Sequence, residues 1–113
     1  MEYKIDAICV GSIFWDVIGR TSQSIRRGDD VGGFIKRVPG GVAFNIAHNL
    51  VNFKINTCLL GFLGNDSEGI QLASYCQNLG INTDYIYRSD NFTTDNYVAI
   101  EDSEGVVAAI ADA

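Results

Sequence analysis

Val38-Pro39-Gly40-Gly41-Val42-Ala43-Phe44-Asn45-Ile46-Ala47-His48-Asn49-Leu50 is the stretch on which the reading of this chain turns. It joins a basic, strand-like segment to a helix-like one. Two glycines at a helix entrance leave the first backbone N–H groups uncovered, so a ligand oxygen can reach them without meeting a side chain. Asn45, within the first turn or so, adds a carboxamide that can both donate to and accept from a hydroxyl. That set suits a polyol or sugar better than a flat aromatic ligand. Pro-Gly-Gly is equally an ordinary turn before a helix, and Asn45 equally a solvated helix residue. On these residues alone both readings stand.

Outward from this stretch, strands and helices alternate. Ala43 to Phe53 reads as a helix: Ala43, Ile46, Ala47, Leu50 and Val51 form an apolar stripe at helical spacing, and Asn45, His48, Asn49 and Asn52 a polar one. Upstream, Ile5 to Val10 is a short apolar strand of the kind buried on both faces, ending at Gly11-Ser12. Phe14 to Thr21 continues as a second extended piece, with Asp16 between Trp15 and Val17-Ile18. An acid in that company is either an exposed alternation or a placed functional group. Residues 22–32 are a loop by composition, and Gly33 to Val38 is a short exposed strand.

Downstream, Asn56 to Phe62 is β-like. Gly64-Asn65-Asp66-Ser67-Glu68-Gly69 is a turn that caps a helix from Ser67, and Gly80 after Leu79 is a helix-terminating glycine. Asp84 to Arg88 then forms a strand, which makes residues 56–88 a strand–helix–strand unit with a right-handed parallel crossover. Asp95 to Glu101 and Val106 to Ala111 alternate as paired strands around the hairpin loop Asp102-Ser103-Glu104-Gly105. The order is α/β with an antiparallel appendage. With few parallel strands and two helices, one sheet edge and much of one face stay open, so the sequence reads as the first part of a larger α/β protein.

Length and charge narrow the function. A chain of 113 residues is one domain at most, able to bury roughly 65% of its unfolded surface. The net charge of −6 lies entirely in the last thirty residues, where seven acids face Arg88 alone; residues 1–83 carry seven acids and seven bases. Nucleic-acid binding is not expected of such a chain, and the acidic end reads as a solvated face. No apolar run is long enough to span a bilayer, and Met1-Glu2-Tyr3-Lys4 does not open a leader segment. Cys9, Cys58 and Cys76 are odd in number and far apart, and they read as buried free thiols of a reducing, cytoplasmic setting. One histidine, His48, and scattered thiols are too thin a ligand supply for zinc.

The spaced pattern Gly40-Gly41, Asn45, Ala47, then Gly61-Phe62-Leu63-Gly64-Asn65-Asp66 and Gly69 resembles the N-terminal signature of the ribokinase-like (PfkB-type) sugar and nucleoside kinases. Gly11-Ser12 with Asp16, and the later run Thr94 to Ala111, match that family as well. The resemblance covers essentially residues 1–113. It implies a ribokinase-like partial parallel sheet with flanking helices, plus a small antiparallel β lid from segments of about 15–38 and 94–111, incomplete relative to the family. It further implies that Asp16, Gly40, Gly41 and Asn45 hold the hydroxyls of a sugar or nucleoside acceptor. The resemblance allows a homodimer through lid strands, and it places ATP, Mg2+ and any monovalent-cation site in the complete enzyme. Asn65 and Asp66 invite suspicion as metal ligands, but a turn and helix cap account for them.

One departure is large. The family's second signature, a glycine-rich anion hole with a general-base aspartate, has no counterpart here: no segment matches Gly-Ala-Gly-Asp. No catalytic base, cofactor-binding residue or metal ligand is therefore assigned in this chain. Two functions follow. One is ATP-dependent phosphorylation of a sugar or nucleoside hydroxyl, with this chain carrying the acceptor-binding half. The other is a non-catalytic sugar-binding or dimerising remnant. A dinucleotide-binding domain fits least, because Gly-Ser-Ile-Phe-Trp-Asp replaces G-x-G-x-x-G after the first strand.

Overall fold

Short apolar runs and two capped helices build an α/β body from which a second sheet projects. The structure, a computed structural model, describes residues 4–113. The Met1-Glu2-Tyr3 start, read above for a leader, lies outside the described residues. Along the chain come β1 (Ala7–Val10), β2 (Phe14–Arg20), β3 (Phe34–Gly40), α1 (Val42–Asn52), β4 (Thr57–Leu60), β5 (Phe62–Gly64), α2 (Ser67–Leu79), β6 (Tyr87–Ser89), β7 (Asn96–Asp102) and β8 (Gly105–Asp112).

In the body, β1 pairs in parallel with β4, from Ala7 opposite Thr57 to Val10 opposite Leu60. Past Gly61 the same extended stretch changes partner, and β5 pairs in parallel with β6. Gly61 is where the chain passes the end of β1: a Cβ there would lie 2.8 Å from the Gly11 carbonyl oxygen. Helix α2 is the crossover between β5 and β6, as the spacing of residues 56–88 requires. Its bounds follow local chemistry: the Asp66 carboxylate accepts from the Gly69 N–H, and Gly80 ends the helix at φ 95°. The core runs through Cys9, Ile13, Trp15, Phe44, Leu59, Leu63, Leu72, Cys76, Ile81 and Ile86. Each fully buried Leu contributes about 1.5–3 kcal/mol.

Two details differ from the sequence reading. Asp84 and Tyr85 are in a turn, and the strand expected from Asp84 starts at Tyr87. The Asn82 side chain accepts from the Asp84 N–H at 2.9 Å and diverts the backbone before the strand begins. On α1, Ala43 and Ala47 are buried as the stripe requires, but Ile46 is half exposed and Phe44 is buried instead. Ile46 faces the same side as the exposed Ile8, Val10 and Val42, around a shallow apolar cavity of about 410 Å³.

The projecting sheet has the order β3-β2-β7-β8. Its two outer pairs are antiparallel, and its central pair β2–β7 is parallel. The parallel pair arises because both strands leave the body at the same point, where the Trp15 N–H donates to the Asp95 carbonyl at 3.2 Å. At the far end Arg20 reaches Glu101 across the same two strands.

Candidate functional site

Asp16 lies in β2 between two strands, opposite Val38 of β3 and Tyr97 of β7. Alternation along β2 puts Phe14, Asp16 and Ile18 on one face, away from Trp15. Trp15 turns the other way, onto α2. Its indole N–H donates to the Glu68 carbonyl at 3.1 Å, and the Arg37 guanidinium stacks 3.9 Å from its ring centroid. The buried tryptophan therefore fixes the side on which Asp16 emerges.

Gly40 is the gap beside that carboxylate. A Cβ at Gly40 would stand 3.1 Å from the Phe14 ring and 3.4 Å from Asp16 Oδ2. Gly41 follows at φ 107° and is the N-cap of α1, with no side-chain cap. A side chain there would run into the Ser12 backbone, whose carbonyl carbon would be 2.8 Å from the added Cβ. The left-handed conformation and the close approach both favour glycine. Ser12 O accepts from the Phe44 N–H at 3.3 Å and Gly41 O from the Asn45 N–H at 2.9 Å. The earlier amides of this turn precede the intrahelical ladder and are available to an incoming oxygen.

One atom of this constellation is out of balance. Asp16 Oδ1 is buried and has no hydrogen-bond partner. A buried acceptor without a donor costs about 1–3 kcal/mol, more when charged. The structure thus brings together Asp16, Gly40 and Gly41. Asn45 is one turn into α1 and exposed, and its carboxamide makes no hydrogen bond to Asp16. Two neighbours escaped sequence reasoning: Tyr97, paired across from Asp16, and Phe14, packed at Gly40. Only the β2–β7 register, which no local pattern encodes, brings Tyr97 there.

A second polar cluster lies at the start of α2. Asp66 accepts from the Thr94 hydroxyl at 2.7 Å, the Thr94 N–H at 2.9 Å and the Gly69 N–H at 2.8 Å. Burial pushes its carboxyl upward, but these bonds outweigh it and hold the group below the usual carboxylate range. The helix-cap reading of Asp66 therefore holds, and the hydrogen bonds to Thr94 add to it. Asp95, next in the chain, is pushed the other way by burial and then by Asp112. Among the described residues no three His, Cys, Asp or Glu side chains converge to hold a metal ion. Nor is any helix there long and apolar enough to cross a membrane. Cys9, Cys58 and Cys76 are buried free thiols.

Comparison with known proteins places this geometry. Residues 4–112 match the family described as pfkB family carbohydrate kinase. The chain is 32% identical over 113 residues to the pseudouridine kinase of Escherichia coli K12, covering 99% of itself but only 36% of that protein. A carbohydrate kinase from Agrobacterium tumefaciens superposes with a TM-score of 0.81 at 25% identity, over 94% of this chain and 34% of that one. An Arabidopsis thaliana ribokinase complexed with ribose and ATP shares the fold at a TM-score of 0.79 and 23% identity, over 94% and 35% of the two chains. The chain thus spans about a third of the length of the relatives it matches. Its sheet-and-helix arrangement is a partial ribokinase-like α/β fold, and the chain belongs to the pfkB family of carbohydrate kinases.

Proposed function

We propose that this chain is the acceptor-binding part of a kinase that transfers phosphate from ATP to a hydroxyl of a sugar or nucleoside. The observation that carries the reading is the buried, unpartnered Asp16 Oδ1 beside the Gly40 gap. A carboxylate in that state lacks a donor, and a polyol supplies two hydroxyl donors in a bidentate pair. The first-turn amides of α1 lie past Gly41, and Asn45, exposed one turn further, is the residue proposed for a second hydroxyl. The projecting sheet, residues 14–20, 34–40, 96–102 and 105–112, would act as the lid over the acceptor, keeping water from the phosphoryl group.

This reading gives residues 4–113 the acceptor side of the reaction only. Phosphoryl transfer needs a phosphate cradle, a metal and a base around the reacting atoms. In this reading ATP and Mg2+ are held by other parts of the whole protein, and no residue here is assigned as the base. The 32% identity to a pseudouridine kinase favours a nucleoside or pentose acceptor. Three buried free thiols fit a reducing cytoplasm.

Calorimetric titration of the purified chain with D-ribose, pseudouridine and a non-hydrolysable ATP analogue tests this reading. The acceptor should bind, and the ATP analogue should not. Unchanged acceptor affinity in folded Asp16→Ala would remove Asp16 from the site.

A second reading, self-association through the projecting sheet, has its own observation. Edge strand β8 is exposed at every position, and Val106, Val107 and Ile110 lie bare along it. The two readings are compatible, since β8 is the strand of this sheet furthest from Asp16 on the β7 side.

A further inference from the structure

The first turn of α2 does more than begin a helix. A cap needs only the bond from Gly69 to Asp66. Here the same carboxylate also accepts twice from Thr94, which is fully buried, and Thr94 Oγ1 in turn accepts from the Gly64 N–H at 3.0 Å. Two glycines make space for this. A Cβ at Gly64 would lie 2.6 Å from the Thr94 nitrogen, and one at Gly69 2.7 Å from its hydroxyl oxygen. The next residues are held too. Asp95 O accepts from the Trp15 N–H, and the Asn96 carboxamide donates to Glu68 Oε2 at 3.0 Å. Trp15 itself donates to the Glu68 carbonyl. One helical turn, Asp66 to Gly69, thus grips the roots of both β2 and β7. One residue beyond those grips, Asp16 and Tyr97 face each other.

We propose that Asp66 and Thr94 are positioning residues for the acceptor site: their clamp fixes the angle at which β2 and β7 leave the body, and so where the Asp16 carboxylate meets a hydroxyl. The proposal rests on the reading of Asp16 as an acceptor ligand. Both carboxylate oxygens are engaged, so the peptide at Thr94 is held in two directions. A hydroxyl that donates to Asp66 while accepting from Gly64 closes the ring, and in the space the two glycines leave only Ser or Thr is small enough to do both. None of these extra bonds serves the helix cap.

The test uses the full chain. Thr94→Val keeps the shape and the backbone N–H but removes both hydroxyl bonds, and Thr94→Ser restores them. Trp15 is the one tryptophan in the sequence, so its emission reports how the sheet sits on α2 without any ligand. In Thr94→Val that emission should move to longer wavelength and become more open to acrylamide, with far-UV circular dichroism unchanged. Affinity for D-ribose and pseudouridine should fall by about three- to thirtyfold, and Thr94→Ser should recover it. In an Asp16→Asn background Thr94→Val should cost nothing further, because it acts through Asp16.

A folded Thr94→Val chain with unchanged emission and unchanged affinity overturns the proposal, and so do additive losses in the double variant. If the wild-type chain binds neither ligand, the acceptor reading falls, and Trp15 emission alone then decides whether the clamp sets the sheet. Should Thr94→Val not fold, Asp66→Asn carries the same test. Asn keeps one oxygen for the Gly69 N–H and the Thr94 hydroxyl, as Oδ1 serves both now, but its NH2 cannot accept from the Thr94 N–H as Oδ2 does, so the clamp loses one of its two directions.

Discussion

Asp16 sets two free energies against each other. Its unpartnered Oδ1 penalises the ligand-free chain, and under the proposed reading a bound hydroxyl would satisfy the same atom. Asp16→Ala should therefore raise the urea midpoint, by the equivalent of about 1 kcal/mol, and weaken acceptor binding by roughly ten- to a hundredfold. Urea melts and calorimetry on one preparation check both signs. Asn45→Ala removes a neutral partner and should cost less, about 0.5–1.5 kcal/mol of acceptor affinity. The thiols give a test that needs no ligand. Burial raises all three, Cys76 to about 12, so at pH 8 the native chain should resist a disulfide reagent until urea exposes the thiols. Rapid labelling of Cys76 in the native chain would contradict its packing.

At the level of elements, what could be read from sequence depended on how local the cause was. Helix α2 was legible to the residue, because Asp66 and Gly80 fix its ends within a few positions of themselves. The β7–β8 hairpin was legible for the same reason, whereas β3 runs on through Pro39 and Gly40, which pair with Trp15 and Phe14 instead of forming a turn. The β2–β7 pairing was not, since it joins Trp15 to Asn96 and only tertiary packing chooses it. Ile46 was misplaced because helical spacing presumes that the apolar stripe will be covered, and here the neighbouring sheet edge is open. The α2 cap also makes stability depend on acid. The Asp66 carboxyl is held low, as is that of Asp102, which accepts from the Ile25 and Glu104 N–H groups. A carboxyl whose folded pKa lies below its unfolded value contributes stability above about pH 4, and the contribution is lost as pH falls through the folded value. Urea midpoints should therefore drop below about pH 4, and Asp66→Asn should flatten that slope. Gly69→Ala, which pushes a methyl at Thr94 and the Gly64 carbonyl, should cost about 1–3 kcal/mol.

The whole molecule is elongated for its size. Its radius of gyration is 16.5 Å, against about 13 Å for a compact domain of this length. The sheet that projects from the body accounts for the difference, giving the molecule extents of 57 × 34 × 19 Å. Val10 and Val42 at the β1 edge, and Ile35 and Ile110 on the projecting sheet, are each more than two-thirds exposed. Surfaces of that kind promote association. Sedimentation of the isolated chain should show concentration-dependent self-association, and Ile110→Lys should reduce it by placing a charge on the β8 edge. A monomer at every concentration would show that this edge stays solvated.

The parallel pairing of β2 with β7 also orders events in time. During synthesis β2 can zip to β3 as soon as Gly40 has emerged, and the α2 crossover can close once Ser89 is out. The other edge of β2 must wait for Asp102, near the end of the residues described. Until then the acidic strand is half of a sheet, with its lone carboxylate in water and no cost attached to it. Loop-closure entropy makes this last pairing the slow one. A nascent chain that has emerged only as far as Asp95 would hold a paired α/β body and an open β2 edge along Trp15 and Val17, exposed to chaperones.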